Sequence, residues 1–180
     1  MNLDRDLRDA LQPLHGDDPV AEFTDLDGDG IDDRVRYYWN LHGIDQRIGF
    51  VDVDGNNNAS YYYYLTDQVG SVLGVVNEAG ILVNRYDYDA FGVPLAESTF
   101  EAVPNRYRFH GREWDENRQE YHYRYRGYAP EHGQFDGPDL EINPADPNGA
   151  CNYLFCSNDP VNGTDPLGLD VAVFVPSADK

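Results

Sequence analysis

Lysine is nearly missing from this chain of 180 residues: Lys180 is the only one, so the basic charge rests on arginine. Thirteen basic residues face 33 acidic ones, a formal charge of −20 at pH 7. A binder of a phosphate backbone needs a net basic surface, and this balance argues against one. Cysteine is scarce as well. Cys151 and Cys156 are too few for a disulfide framework, and no second Cys pair or nearby His pair completes a zinc site. They read as two buried or free thiols. No apolar run approaches the roughly 18 to 20 residues that span a bilayer. The start, Met1 to Gln12, is charged from Asp4 and lacks an apolar leader segment, so no secretory signal is visible and no compartment is assigned.

What is abundant is tyrosine, 14 residues, together with 17 glycines and 11 prolines spread along the chain. Tyrosine favours strands, where its ring packs and its hydroxyl finds a polar partner. Glycine and proline supply turns. Together they predict an all-β protein of short strands. Leu3, Leu7 and Leu11, spaced by four, fit one short amphipathic helix or a frayed start within residues 1–18.

Residues 19–60 form an acidic repeat segment. Phe23-Thr-Asp25-Leu-Asp27-Gly28 aligns with Phe50-Val-Asp52-Val-Asp54-Gly55, and Tyr37 aligns with Tyr64. Each unit reads as an acidic Gly-rich turn followed by an aromatic strand, Arg34–Trp39 and then Tyr61–Leu65. Three hairpin strands follow: Tyr61–Leu65, Ser71–Val76 and Ile81–Tyr88, with Asn77–Gly80 as a turn in which Gly80 can take positive φ. Between residues 105 and 128, Tyr107 and Phe109 alternate with Arg106, Arg108 and His110, and Tyr121, Tyr123 and Tyr125 alternate with His122, Arg124 and Arg126. Period two places aromatics on one face and bases on the other. The expectation is a hairpin turning at Asp115–Glu120, aromatic face buried, basic face against acidic turns. Residues 129–169 are turn-rich, and Val171–Val175 could form a last strand.

The first acidic loop offers Asp25, Asp27, Asp29 and Asp33 at positions 1, 3, 5 and 9 of a calcium-type loop, with Gly30 at 6 and the Ile31 carbonyl at 7. Alternating aspartates around a glycine turn can surround a hard cation with oxygens. Position 12 is Arg36, so this is no EF-hand. Calcium is the one cofactor the sequence raises, and the competing reading is a solvated acidic turn.

Several segments together resemble a known family. Asn84-Arg-Tyr-Asp-Tyr-Asp-Ala-Phe-Gly92 resembles the YD repeat of Rhs and teneurin-type proteins. Leu65–Gly92, Arg106–Gly111, Tyr121–Arg126 and Pro130–Phe135 follow in the order of the Rhs repeat-associated core domain. The ending Asn158-Asp-Pro160-Val-Asn162-Gly-Thr-Asp165-Pro-Leu-Gly-Leu169 resembles the end of that core. The resemblance takes in residues 61–169. It implies YD-repeat β-hairpins in an open curved sheet, a fragment of a hollow β-shell, with an irregular turn-rich C-terminal segment. The core would close one end of the shell. In such proteins a variable toxin follows the core, which cuts its own chain after the last Leu as an aspartyl autoprotease.

Carried over by motif, the resemblance marks Asp139 and Asp165 as the carboxylate pair and Leu169–Asp170 as the bond cut. A carboxylate pair hydrolyses a peptide when one group activates water and the other donates a proton. Pro138 stands where the family has an arginine before its first aspartate, and the Pro-x-Gly after it is absent. Asp146-Pro-Asn-Gly149 makes Asp146 an alternative. Residues 170–180 are too short to fold as a toxin and read as a vestigial tail. The expected role is therefore a core module in toxin encapsulation, delivery or cell-surface interaction, with single-turnover self-cleavage as the alternative. The expected partner is the rest of a β-shell or a second copy, with no nucleic acid and no membrane span. A tRNA nuclease-type toxin is the least favoured reading, because His15, His42, His110, His122 and His132 are scattered.

Overall fold

The computed structural model describes residues 20–25, 27–41, 45–139 and 152–169, and the backbone of residues 172–173. The expected helix within residues 1–18 lies outside them. Strand follows strand: β1 (Ala21–Thr24), β2 (Arg34–Asn40), β3 (Arg47–Asp54), β4 (Ala59–Thr66), β5 (Val72–Asn77), β6 (Leu82–Arg85) and β7 (Phe100–Glu101) hydrogen-bond in chain order in one seven-stranded sheet. A second sheet has the order β11 (Gln134–Phe135), β10 (Arg126–Ala129), β9 (Glu120–Tyr123), β8 (Glu113–Asp115). A third pairs β12 (Gly163–Thr164) with β13 (Ala172–Val173). Among the described residues there is no α-helix, and none long and apolar enough to cross a membrane. The all-β expectation holds.

The chain divides into two compact units, Met1–Leu65 with Gly74–Val83, and Thr66–Leu73 with Asn84–Lys180. In the first, β1 to β4 form an antiparallel meander. Tyr38 faces Phe50, and Phe50 faces Tyr62, so these three rings share one side. Arg36 sits on that side, bonded to both oxygens of Asp52 at 2.6 and 2.7 Å and stacked 3.9 Å over the Phe50 ring. Tyr38 donates its hydroxyl to Glu22. Trp39 lies on the opposite side between Tyr61 and Tyr63, at ring distances of 5.9 and 5.8 Å. The uninterrupted run Tyr61–Tyr64 is thus a strand with aromatic contacts on both faces.

The second unit buries Phe109, Trp114, Tyr121, Tyr123, Tyr128, Phe135, Phe155 and Cys156, with Tyr88 packed against them. Tyrosine serves here where phenylalanine would not. Tyr121 and Tyr128 donate to the carbonyls of Gly92 and Phe91, and Tyr88 donates to Val72, each at 2.8 or 2.9 Å. The rings fill the core while the hydroxyls satisfy main-chain carbonyls, two in the turn at 89–93 and one at the start of β5. Beside them, Asn84 is fully buried. Its Oδ1 accepts the amides of Ala102 and Val103, and its amide group donates to the Val103 carbonyl and to Tyr86 Oη.

One local device recurs. In residues 54–58, 67–71, 77–81 and 89–93, an Asp or Asn side chain caps the amides two and four residues on. The fourth residue has positive φ, 62° at Asn57 and 91° at Gly92. Asp, Asn and Gly are the residues that build such loops at least cost. The Asn77–Gly80 turn is as expected.

Three strand expectations need correction. The third hairpin strand is Leu82–Arg85, shorter than Ile81–Tyr88, with Tyr88 only bridged to Pro94. Residues 106–110 are not a strand: the partner of β9 is β8, and Phe109–Gly111 is a 3-10 turn. The alternation through residue 126 also breaks. Arg124 takes φ 53°, the chain reverses at residues 124–125, and Arg126 pairs with Tyr123. Tyr125 is therefore 63% exposed at the turn, while Arg126 is buried on the aromatic side. Aromatics and bases share that side: Arg108 lies over Trp114, Arg112 over Tyr123 and Arg126 over Phe135. Other arginines do meet acidic turns, as Arg118 meets Glu120 and Asp136.

Candidate functional site

The β9–β10 reversal positions the site. Tight antiparallel pairing at Tyr123↔Arg126 directs the Arg126 guanidinium inward, 3.6 Å from the Phe135 ring centroid. Its Nη2 contacts Asp139 Oδ2 at 3.1 Å and Asp165 Oδ2 at 3.4 Å. The two aspartates singled out from the sequence thus meet on a single nitrogen. Asp165 is almost sealed, with 4% of its side chain exposed, whereas Asp139 keeps 20% and is open to water. A guanidinium between two carboxylates offsets their repulsion and aligns them through directional hydrogen bonds. Asp139 is fixed from its other side by its amide, which donates to the Asn152 carbonyl. Asp146 and Asp170 lie outside the described residues.

Asp165 follows β12 and begins a turn that β13 completes, with Gly163 opposite Val173. Its Oδ1 accepts the amides of Gly168 and Leu169, at 2.8 and 3.1 Å. This is a variant of the capped-loop device used elsewhere in the chain, now buried. The carbonyls of the same turn are held from the hairpin. Arg112 and Arg124 both bond the Pro166 carbonyl, the Tyr125 amide donates to Leu167, and Arg126 Nε bonds Gly168. The remaining Arg126 nitrogen donates to Asn152. Gly168 cannot be larger: its φ is +74°, and a Cβ would stand 2.5 Å from the Tyr123 carbonyl oxygen. The peptide units just before the Leu169–Asp170 bond are therefore gripped at every carbonyl from Pro166 to Gly168.

His110 pins the approach to this turn, with Nε2 2.8 Å from the Pro160 carbonyl. That contact requires the proton on Nε2. Burial drives the imidazole pKa down to about 4, against the pull of the Pro160 carbonyl, so the ring is neutral at pH 7. Burial also pushes the Cys156 thiol well up, which leaves it protonated and inert. Cys151 is outside the described residues.

In the first acidic loop, Asp25, Asp27 and Asp29 bring one carboxylate oxygen each within 4.8 Å of one another, all exposed. Asp33 is not one of these converging carboxylates; its amide closes the hairpin on the Thr24 carbonyl. The amides of Gly30 and Gly28 hold the Asp25 carboxyl below the usual carboxylate range. In the second copy, Asp54 is occupied by Asn56 and Asn58 of its own loop.

The sequence reading missed Arg112, Arg124 and Arg126 as the cradle. The signal was present, since three arginines stand among the core aromatics, but strict period two placed Arg124 and Arg126 on the face away from the aromatics, and Arg112 lies outside either alternating run.

No protein-family model matches the chain. It is 33% identical over 116 residues, 62% of its length, to the tRNA3(Ser)-specific nuclease WapA of Bacillus spizizenii. It is likewise 33% identical over 112 residues, 59% of its length, to the tRNA nuclease WapA of Bacillus subtilis. The matched part is 5% of each relative. Among solved structures, the crystal structure of TcdB2-TccC3 shares the fold, with a TM-score of 0.60 and 21% identity over 78% of this chain and 7% of that one.

Proposed function

We propose that this chain is an Rhs repeat-associated core module, the closing element of a β-shell in a toxin-associated assembly, and that it cuts its own chain after Leu169. The observation that carries the second half is the meeting of Asp139 and Asp165 on Arg126, beside a turn whose carbonyls from Pro166 to Gly168 are held. The likeness to TcdB2-TccC3 supports the shell context at the level of fold. The nuclease activity in the names of the Bacillus relatives is not part of the proposal. The match takes in a twentieth of those proteins, and the net charge here opposes a phosphate-backbone ligand.

Cleavage needs only this chain and water. The water oxygen adds to the Leu169 carbonyl carbon while one carboxylate takes its proton. The bond to the Asp170 nitrogen then breaks, and the same carboxyl hands on the proton it took from water to make the amine. Asp139, open to solvent, is the group that reaches water. Asp165, committed to the amides of Gly168 and Leu169, holds the substrate turn against it. Holding the reacting groups in register supplies the entropic part of the rate.

Intact and native mass spectrometry of the purified chain tests both halves. The expected result is loss of residues 170–180 in the wild type, full length in Asp139→Asn and Asp165→Asn, and assembly with a second copy or a YD-repeat shell segment. Full-length wild type rejects the cleavage, and a lone monomer with either partner present rejects the module reading.

A second site reading concerns calcium at Asp25, Asp27 and Asp29, favoured by the convergence of their oxygens. Calorimetry is expected to show calcium heat in the intact protein that Asp27→Ala abolishes. Equal heats in both proteins, or none in either, reject the loop as a site.

A further inference from the structure

We propose that Asn162–Gly163 is a modification site: a deamidation-prone pair that Asp159 latches shut in the folded chain, and whose conversion to aspartate unhooks the strand leading to Asp165. The consequence for cutting rests on the self-cleavage reading; the chemistry at Asn162 does not.

Deamidation meets least obstruction at Asn-Gly, because glycine carries no side chain beside its amide nitrogen. The Gly163 nitrogen loses its proton to solvent base and adds to the Asn162 side-chain carbonyl carbon. The bond from that carbon to the side-chain nitrogen breaks, and ammonia leaves with a proton regained from solvent. Water then opens the cyclic imide at either carbonyl, leaving aspartate or its β-linked isomer at position 162. No other co-reactant is needed.

Asn162 is exposed, so water reaches it, yet both reacting groups are occupied. Its Nδ2 donates to Asp159 Oδ1 at 3.0 Å and to Oδ2 at 3.2 Å. The Gly163 amide donates to the Asp159 carbonyl at 2.9 Å. One residue thus holds the leaving group through its side chain and the nucleophile through its main chain. An amide engaged as a donor gives up its proton less readily, and a side chain tied to a carboxylate is kept from turning onto its own backbone. The vulnerable glycine is also one the packing favours: a Cβ at position 163 would stand 3.2 Å from the Asp159 carbonyl oxygen and 3.5 Å from Cys156 Cβ. Conversion reverses the contact. The donor amide becomes a carboxylate facing the Asp159 carboxylate, and like charges repel. The loop 159–163 carries the Pro160 carbonyl that His110 holds, and Gly163 and Thr164 run directly into Asp165.

Peptide mapping by mass spectrometry tests the latch, with Asn148–Gly149, the other such pair of the sequence, mapped separately. In mildly alkaline buffer, deamidation at Asn162 is expected to run about tenfold or more slower in the folded full chain than in concentrated urea, because it waits for local opening. Asp159→Ala is expected to recover most of that difference while near-UV circular dichroism shows the aromatic core intact. Equal rates in buffer and urea, or an unchanged rate in folded Asp159→Ala, overturn the latch. If Asp159→Ala does not fold, the wild-type comparison decides. Asn162→Asp reads the consequence: amide hydrogen exchange at Gly163 and Thr164 is expected to quicken about tenfold. Adding Asp159→Asn to that variant sets a donor opposite an acceptor again and is expected to restore protection. Unchanged exchange in Asn162→Asp, or no recovery in the double variant, overturns the unhooking. A wild type that does not cut its chain rejects the self-cleavage reading alone. Where it cuts, Asn162→Asp is expected to cut more slowly, and an equal rate overturns the link to cutting.

Discussion

Replacing Phe155 by alanine is expected to remove about 3 to 5 kcal/mol of stability, near the upper range for a buried aromatic. Phe155 is fully buried, and five rings surround it: Tyr128 at 3.9 Å, Tyr123 at 5.1 Å, Phe135 at 5.4 Å, His110 at 5.5 Å and Phe109 at 6.5 Å between centroids. It enters from the loop before a 3-10 turn at Cys156–Asn158, not from a strand, so it plugs the aromatic cluster from outside the sheet. The cost of a truncation depends on whether neighbours can close the void. Here they are held back. Tyr128 is tethered through its hydroxyl to the Phe91 carbonyl, and His110 through Nε2 to Pro160. Urea unfolding followed by near-UV circular dichroism measures the loss. Phe155→Leu, which keeps most of the volume, is expected to cost less than half as much. A loss below about 1 kcal/mol for the alanine variant would mean that residue 155 is not the plug described.

The second large effect is expected at Asn84. Its side chain makes four hydrogen bonds in a fully buried position, two as acceptor and two as donor. Alanine strands the amides of Ala102 and Val103 and the Val103 carbonyl. Each unsatisfied buried group costs about 1 to 3 kcal/mol, and partial relaxation brings the total to about 3 to 5 kcal/mol. Asn84→Asp separates shape from chemistry. It keeps the acceptor for the two amides but turns the donor end into an acceptor facing the Val103 carbonyl. Tyr86 cannot fully compensate, because its hydroxyl proton already goes to Glu101 at 2.6 Å. The buried carboxyl is expected to have a folded pKa above its unfolded value of about 3.9. Its protonated form restores a donor, so the variant is least impaired near or below pH 4 and loses stability as pH rises towards neutrality. Urea midpoints at pH 4 and pH 7, for wild type and variant together, measure this. An Asp variant equally stable relative to wild type at both values would remove the donor argument.

The two residues illustrate different degrees of legibility. Asn84 belongs to the motif Asn84–Gly92, and its neighbours Tyr86 and Tyr88 read at once as aromatic strand residues. Its own burial did not, since asparagine is ordinarily a turn residue and its partners lie 18 and 19 positions away. Phe155 sits in a turn-rich stretch where periodicity carries no information. It became a core residue only because the loop folds back on β9, β10 and β11.

For the site, Asp165 and Asp139 were legible through the family resemblance, Asp165 by its ending Asp165-Pro-Leu-Gly-Leu169. The arginine that joins them was not. Pro138 beside Asp139 pointed to a pair without a cation, and the cation arrives from a hairpin 13 positions earlier. One dihedral made the difference. Arg124 adopts φ 53°, a conformation that propensity assigns to glycine or asparagine, and the resulting reversal moves Arg126 onto the aromatic side.

What the sequence determined by itself follows from interactions within about four residues. The all-β class came from abundant tyrosine interrupted by glycine and proline turns, and the turn at Asn77–Gly80 from a glycine free to take positive φ. These are local energies, and local energies are written along the chain. Tertiary structure alone decided which side Arg126 faces, that Asn84 is buried, and that Asp139 and Asp165 share one guanidinium. Those outcomes depend on burying aromatic rings against segments distant in sequence, and on finding partners for every polar group sealed beneath them.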